Sequence, residues 1–195
     1  RDLLVINEDI IQPQGGFGEH SHRDMEIITY VLSGQLTHKD SMGNGSIIKA
    51  GDVQRMSAGT GVSHSEVNPS SEEAVHLLQI WLLPREQGIS PSYSQQSVSR
   101  ESKHNKLKLI VSGNEDADSQ VMHQDAQVYA TVLEAGKKLE YELLPHRNAW
   151  IQVVSGGLLA TDVSLEAGDG ASFTDENRLT FEAASVAEFL LFDLA

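Results

Sequence analysis

The sequence contains no cysteine. That excludes disulfides, a thiol nucleophile and thiolate metal ligands, so any metal site must draw on His, Asp and Glu. Cationic residues are sparse, with 14 Lys and Arg against 28 Asp and Glu and a formal net charge of −14. Binding to DNA or RNA needs a basic stripe that displaces counterions from phosphates. The densest basic run, Arg100 to Lys108, is interrupted by Glu101, so direct nucleic-acid binding is disfavoured. An acidic chain can still bind another protein. No apolar run approaches the ~20 residues that cross a membrane as a helix, and no charged-then-apolar leader stands at the start. These absences fit a cytoplasmic protein. No segment keeps a long 3.6-residue period with caps, so helices are expected to be few and short. The chain opens at Arg1, directly on Leu3-Leu4-Val5-Ile6, which reads as an incomplete N-terminus.

What is present signals β-structure. The chain has 195 residues, 39% of them hydrophobic, which suits one large domain or two small ones with real cores. Glu26-Ile27-Ile28-Thr29-Tyr30-Val31-Leu32 is β-branched and aromatic and stops at Ser33-Gly34. His76 to Leu83 stops at Pro84, and Trp150 to Val154 ends at Ser155-Gly156. Lys137 to Leu144 alternates, with Leu139, Tyr141 and Leu143 on one face. Short strands broken by Gly, Asn and Asp predict an all-β sandwich or barrel. Gly43-Asn44-Gly45 offers the positive-φ positions of a hairpin. From Arg85 to Lys106, serine and glutamine replace the aliphatics, and the segment reads as a connection with a short strand near Tyr93.

The two sides of this connection repeat one another. Tyr30-Val31-Leu32-Ser33-Gly34-Gln35-Leu36 recurs as Gln152-Val153-Val154-Ser155-Gly156-Gly157-Leu158, and Lys49-Ala50-Gly51-Asp52 as Glu166-Ala167-Gly168-Asp169. His76 to Leu82 has its counterpart in Glu188 to Leu194. The shared order predicts a duplicated β unit: an N-terminal domain over 1–106, including the connection at about 85–106, and a C-terminal domain over 107–195.

Two short stretches carry candidate chemistry. In Gly18-Glu19-His20-Ser21-His22 the side chains alternate along an extended chain, so His20 and His22 share a face. Their Cα atoms are then roughly 6.5 Å apart, and both imidazoles can reach one metal at about 2.1 Å. Alone, the pair is equally compatible with two polar residues on one side of a strand. In Gly61-Val62-Ser63-His64-Ser65-Glu66, His64 and Glu66 again share a face. Three imidazoles and a carboxylate suit one divalent transition metal and leave positions open for substrate, water or dioxygen. Glu26, four residues beyond His22, falls on the same face if the strand continues. It is either an alternative ligand, a group that orients a histidine through its other ring nitrogen, or a bystander. His38, His76, His104 and His123 have no partner at ligand spacing, and a hydrogen-bonded core position is the expectation for His76. Aligning the repeats on Ser-Gly sets Glu142 opposite His20, Leu144 opposite His22, His146 opposite Asp24 and Asn148 opposite Glu26, so the second domain is expected to be metal-free.

"GFGEHSHRDMEIITYVLSG" together with "MSAGTGVSHSEVNPS" resembles the pirin family, in particular its bacterial members, and the likeness extends through "WIQVVSGGL" to the closing "LLFDL". The resemblance implies a bicupin, two consecutive small β-barrels, with ligands His20, His22, His64 and Glu66 and Fe(II) as the metal; Zn, Mn, Co, Ni and Cu also suit such donors. It implies a quercetin 2,3-dioxygenase type of enzyme. Such an enzyme opens the central ring of a flavonol with dioxygen and releases carbon monoxide, and Glu66 takes the proton of the 3-hydroxyl. The same family implies an alternative: a non-enzymatic, iron-dependent regulator that binds a transcription factor or a metabolic enzyme. A monomer is expected in either case.

Overall fold

The computed structural model describes residues 1–114 and 118–195. They form two compact units, one of residues 2–98, 114 and 118–124, the other of residues 1, 99–113 and 125–195. The junction at Val98 lies inside the serine-rich connection. Among the described residues the one helical element is a 3-10 turn, Glu101–Lys103. No helix among the described residues is long and apolar enough to cross a membrane.

The first unit contains β1 (Leu3–Ile11), β2 (Gly16–His22), β3 (Glu26–Ser33), β4 (Gln35–Asp40), β5 (Gly45–Lys49), β6 (Asp52–Ser57), β7 (Val62–Val67), β8 (Val75–Leu82) and β9 (Ser92–Ser97). One sheet has the order β1-β8-β3-β6-β9 and the other β2-β7-β4-β5, all neighbours antiparallel. The second unit contains β10 (Lys108–Ser112), with β11 (Gln120–Val121) belonging to the first, then β12 (Ala126–Leu133), β13 (Lys138–Glu142), β14 (Asn148–Ser155), β15 (Gly157–Ala160), β16 (Val163–Glu166), β17 (Gly170–Phe173), β18 (Arg178–Ala183) and β19 (Ala187–Leu194). Here β10, β12, β19, β14 and β17 lie side by side, and β13-β18-β15-β16 forms the other sheet. Strands β12 to β19 thus reproduce the pairing of β1 to β8, so the repeat read from three short motifs covers a whole unit.

The repeated motifs have a physical reason. Gly34 (φ +74°) and Gly156 (φ +77°) leave the strand in the left-handed region, where a Cβ would sit 2.7 Å from the Ala74 carbonyl oxygen in one repeat and 2.1 Å from that of Val186 in the other. In each Ala-Gly-Asp turn the aspartate closes the turn on the backbone: Lys49 N–H donates to Asp52 Oδ2 and Glu166 N–H to Asp169 Oδ2, both at 2.9 Å. The connection around Tyr93 is a true strand, β9, on the edge beside β6. Its serines are used: Arg55 donates to Ser92 Oγ at 2.6 Å and to Ser94 Oγ at 3.0 Å.

The cores differ in a way that positions the site. The second unit is filled by one apolar cluster that joins both of its sheets. In the first, one apolar cluster lies around Val31, Leu36 and Leu77 and another around Ile27, Met56 and Val62. On β3 the inward sequence is Ile27, Thr29, Val31, and on β8 it is Leu77, Gln79, Trp81. A polar layer of Thr29, Gln54 and Gln79 therefore separates the apolar clusters, and all three residues are buried.

Candidate metal centre

Strand register assembles the site on β2, β7 and β4. β2 lies antiparallel to β7 with His20 opposite His64 and Ser21 opposite Ser63. β4 lies on the other side of β7 with His38 opposite Glu66 and Asp40 opposite His64. Alternation turns Val62, His64 and Glu66 inward, while Ser21 and Ser63 share the outer face, their hydroxyls 2.7 Å apart. The β2–β7 register shifts between Phe17 and His20, which makes Gly18-Glu19 a bulge. The bulge aims the Gly18 carbonyl at His20, whose Nδ1 lies 2.8 Å away. A carbonyl only accepts, so Nδ1 carries the hydrogen and Nε2 keeps its lone pair for a metal.

The three sequence-predicted histidines converge. Ring centroids stand 4.8 Å apart for His20 and His22, 4.4 Å for His20 and His64, and 5.0 Å for His22 and His64. One donor atom from each lies within 4.8 Å of the others. His64 is buried, yet neither of its ring nitrogens has a hydrogen-bond partner. Unpaired buried nitrogens are costly, and a metal ion would satisfy one of them. Burial, then the neighbouring rings of His20, His22 and His38, pushes His64 down to about 3, and burial with His20 lowers His22. Neutral imidazoles are the form that ligates, so the donor set fits a divalent transition metal. Trp81 packs edge-on against His22 with centroids 5.1 Å apart, and its indole N–H also has no partner. Two surface clefts of about 330 and 500 Å³ open on the serine-bearing face and reach the cluster at His64 and His22.

Glu66 stands further in and groups with His64 and His38 rather than with His20 and His22. Gln79 Nε2 donates to its Oε2 at 2.7 Å and Thr29 Oγ1 to its Oε1 at 3.4 Å. Burial raises the carboxyl above its ordinary value, against the opposing pull of His38, Gln79 and Gln54. The expectation that His38 has no partner at ligand spacing is overturned. It is fully buried, its Nε2 lies 3.1 Å from Asp40 Oδ2, and Tyr93 stacks on it at 4.8 Å. Asp40, two residues later on the same strand, was the available signal, whereas the neighbour Glu66 is set by cross-strand register.

Glu26 departs from its expected direction. The strand breaks over residues 23–25, where Asp24 has φ +48°, so the alternation counted from His22 does not carry through. Ile27, not Glu26, faces the apolar cluster beside the histidines. Glu26 accepts from Ser57 Oγ at 2.8 Å and stands 3.4 Å from His123 Nδ1, and it belongs to neither donor set. His76 is not a core histidine either: it is partly exposed and pairs with Glu8 at 2.7 Å. His104 pairs with Glu134 at 3.3 Å near the surface.

The second unit shows what stands in the same places. In β13 and β18, Tyr141 pairs with Leu179 as His20 pairs with His64, and Leu143 follows as His22 does. In β15, Ala160 pairs with Phe181 as His38 pairs with Glu66. The sequence alignment, which set Glu142 and Leu144 in these places, is one residue out. Leu143 stands five positions before Asn148 whereas His22 stands four before Glu26, so the alignment slips by one, and both aligned residues are exposed. Asn148 and His146 do match Glu26 and Asp24, and His146 repeats the positive φ of Asp24 at +69°. Both donor sets found among the described residues lie in the first unit.

Comparison with known proteins agrees with this duplicated architecture. Residues 2–82 match the Pirin family model and residues 109–194 that of the quercetinase C-terminal cupin domain. A quercetin 2,3-dioxygenase of Escherichia coli strain K12 is 44% identical over 192 residues, spanning 98% of this chain and 82% of the relative. A pirin-like protein of Caulobacter vibrioides is 39% identical over 194 residues, with 99% and 83% covered. The crystal structure of the bacterial pirin YhhW from Escherichia coli in complex with nickel(II) superposes with a TM-score of 0.94 at 42% identity, covering 99% of this chain and 82% of that one. The chain belongs to the pirin family and has its all-β bicupin fold.

Proposed function

We propose that the protein is a metal-dependent dioxygenase of the quercetinase type, opening the central ring of a flavonol such as quercetin with dioxygen and releasing carbon monoxide. The observation that carries the reading is the convergence of His20, His22 and His64 around two unpartnered nitrogens of a buried ring. His20, His22, His64 and Glu66 would hold the ion, Fe(II) by family likeness, and its chemistry is polarisation of the flavonol oxygens and electron transfer to dioxygen. The residues supply the rest. The Gly18 carbonyl fixes the His20 tautomer, and Trp81 and Ile27 form an apolar wall beside the histidines. Glu66 Oε1 is the proton acceptor for the 3-hydroxyl, while Gln79 holds the other carboxylate oxygen.

The test is oxygen uptake and carbon monoxide release with quercetin by the metal-loaded protein. Glu66→Gln is expected to retain metal and lose about 10²–10⁴-fold in turnover; unchanged turnover removes the proton-transfer role. His20→Ala/His22→Ala is expected to lose at least ~100-fold in metal affinity, and wild-type affinity would refute the assignment. Metal bound without uptake on any flavonol favours the regulatory reading, in which an acidic chain of net charge −14 meets a protein partner.

A further inference from the structure

We propose that His38 is a metal donor, and that His38, His64 and Glu66 form an inner position for a divalent transition metal, deeper in the barrel than the three-histidine cluster. This rests on the reading that a metal binds among these residues at all. The first observation is a gap between two acceptors. Asp40 already accepts from the backbone N–H groups of Met42 and Asn44 and from Asn44 Nδ2, and its other oxygen lies 3.1 Å from His38 Nε2. A carboxylate only accepts, so the His38 hydrogen sits on Nε2 and the lone pair on Nδ1. That Nδ1 is buried without a hydrogen-bond partner, 4.0 Å from Glu66 Oε1. Two acceptors facing across a buried gap need a cation or a proton between them. Metal bonds of about 2.1 Å on each side span up to ~4.2 Å, so one ion bridges the gap.

The second observation is the completeness of the set. Donor atoms of His38, His64 and Glu66 all lie within 4.8 Å of one another, and all three residues are buried. Two of the three are held through their other polar atom: His38 by Asp40 and Glu66 by Gln79. Carboxylate-to-histidine contacts of this kind orient metal ligands. The third is the internal repeat, where Leu179 and Phe181 replace His64 and Glu66 and Ala160 replaces His38, so the three donors are absent together. A neutral His64 has one lone pair, so a single ion occupies the outer or the inner position, not both at once.

The experiment is Co²⁺ titration of the full chain, read by chelator competition and by the visible d–d spectrum. His20→Ala/His22→Ala removes two outer donors and leaves the inner set whole. This protein is expected to bind one Co²⁺ more weakly than wild type. Adding His38→Gln is expected to weaken that binding by a further ~10–100-fold and to change the spectrum. Two results overturn the proposal: no binding by His20→Ala/His22→Ala while wild type binds, or residual binding indifferent to His38→Gln. No binding by wild type would sink the wider reading as well. Should the triple variant fail to fold, ¹⁵N-histidine NMR of His20→Ala/His22→Ala with Zn²⁺ reads the same point. A coordination shift at His38 Nδ1 is expected, and its absence overturns the proposal.

Discussion

Replacing Arg147 by Met tests how the second unit is held where the first carries the histidines proposed as metal donors. Arg147 donates through Nε to Asp193 Oδ1, and Nη2 reaches the Asp193 carbonyl oxygen at 3.2 Å. Nη1 reaches Asp125 Oδ1 at 2.9 Å. The Asp193 side chain is 5% exposed, that of Arg147 16%, while Asp125 is 57% exposed. The Asp125 arm therefore contributes at most ~1 kcal/mol, and Asp193 decides the outcome. Without Arg147 the Asp193 carboxylate keeps the Tyr141 hydroxyl at 2.5 Å but has no countercharge. Breaking a buried pair on one side costs about 3–5 kcal/mol, and the partial exposure of Arg147 argues for about 3. If the chain unfolds as one unit, that lowers Tm by roughly 6–12 °C. The assay is urea unfolding and calorimetry of Arg147→Met, Asp193→Asn and the double variant. The amide introduced by Asp193→Asn still accepts from Tyr141 but carries no charge, so the double variant should recover most of the loss. A single-variant cost below about 1 kcal/mol, or a double variant no more stable than Arg147→Met, would refute the reasoning.

Other outcomes follow from the same chemistry. A divalent metal at 100 times its Kd should stabilise the fold by about 2.7 kcal/mol, a Tm rise of roughly 5–10 °C, and His20→Ala/His22→Ala should lose most of this rise at the same metal concentration. Gly34→Ala should cost about 1–3 kcal/mol, because φ is +74° and the new Cβ would lie 2.7 Å from the Ala74 carbonyl oxygen. Gly43→Ala should cost less in the same denaturation assay, since its Cβ meets nothing within 4 Å although φ is +92°. Burial, then hydrogen bonding to Asp193, raises Tyr141 above the ordinary 10.0. An acid raised in the folded state contributes stability that is complete below the unfolded value and is lost as pH climbs toward the folded one. Stability should therefore fall above about pH 10, and Tyr141→Phe should flatten that fall; an unchanged alkaline slope would contradict it.

The duplicated β unit was legible because its markers are local. Gly34 and Gly156 stand where only a residue without Cβ passes a neighbouring backbone, and Asp52 and Asp169 each close a turn three residues back. Such constraints act within a few residues, so they survive as short motifs. Serine-rich β9 was legible only in part: it lacks the aliphatic alternation of a strand and is held by the β6 ladder and by Arg55, neither of which its own residues announce. The face of Glu26 was misjudged because counting by two fails across the positive φ of Asp24. The slip over Glu142 and Leu144 has a similar cause: Leu143 lies one position further from Asn148 than His22 does from Glu26.

The site obeys the same division between local and cross-strand information. His20 with His22, and His64 with Glu66, are i, i+2 pairs and could be read from alternation alone. His38 could not, because it meets Glu66 only through the β4–β7 register. That register also explains why Glu66 is found beside Gln79 and Thr29 rather than among the outer histidines. Thr29, Gln79, His38 and Glu66 interrupt the first unit's core, whereas the corresponding Ile151, Leu191, Ala160 and Phe181 complete the second unit's core. One β unit therefore tolerates either filling at these places. Since the second unit closes its core with apolar side chains there, folding alone does not require the buried polar layer of the first. Its physical rationale is the donor set it surrounds.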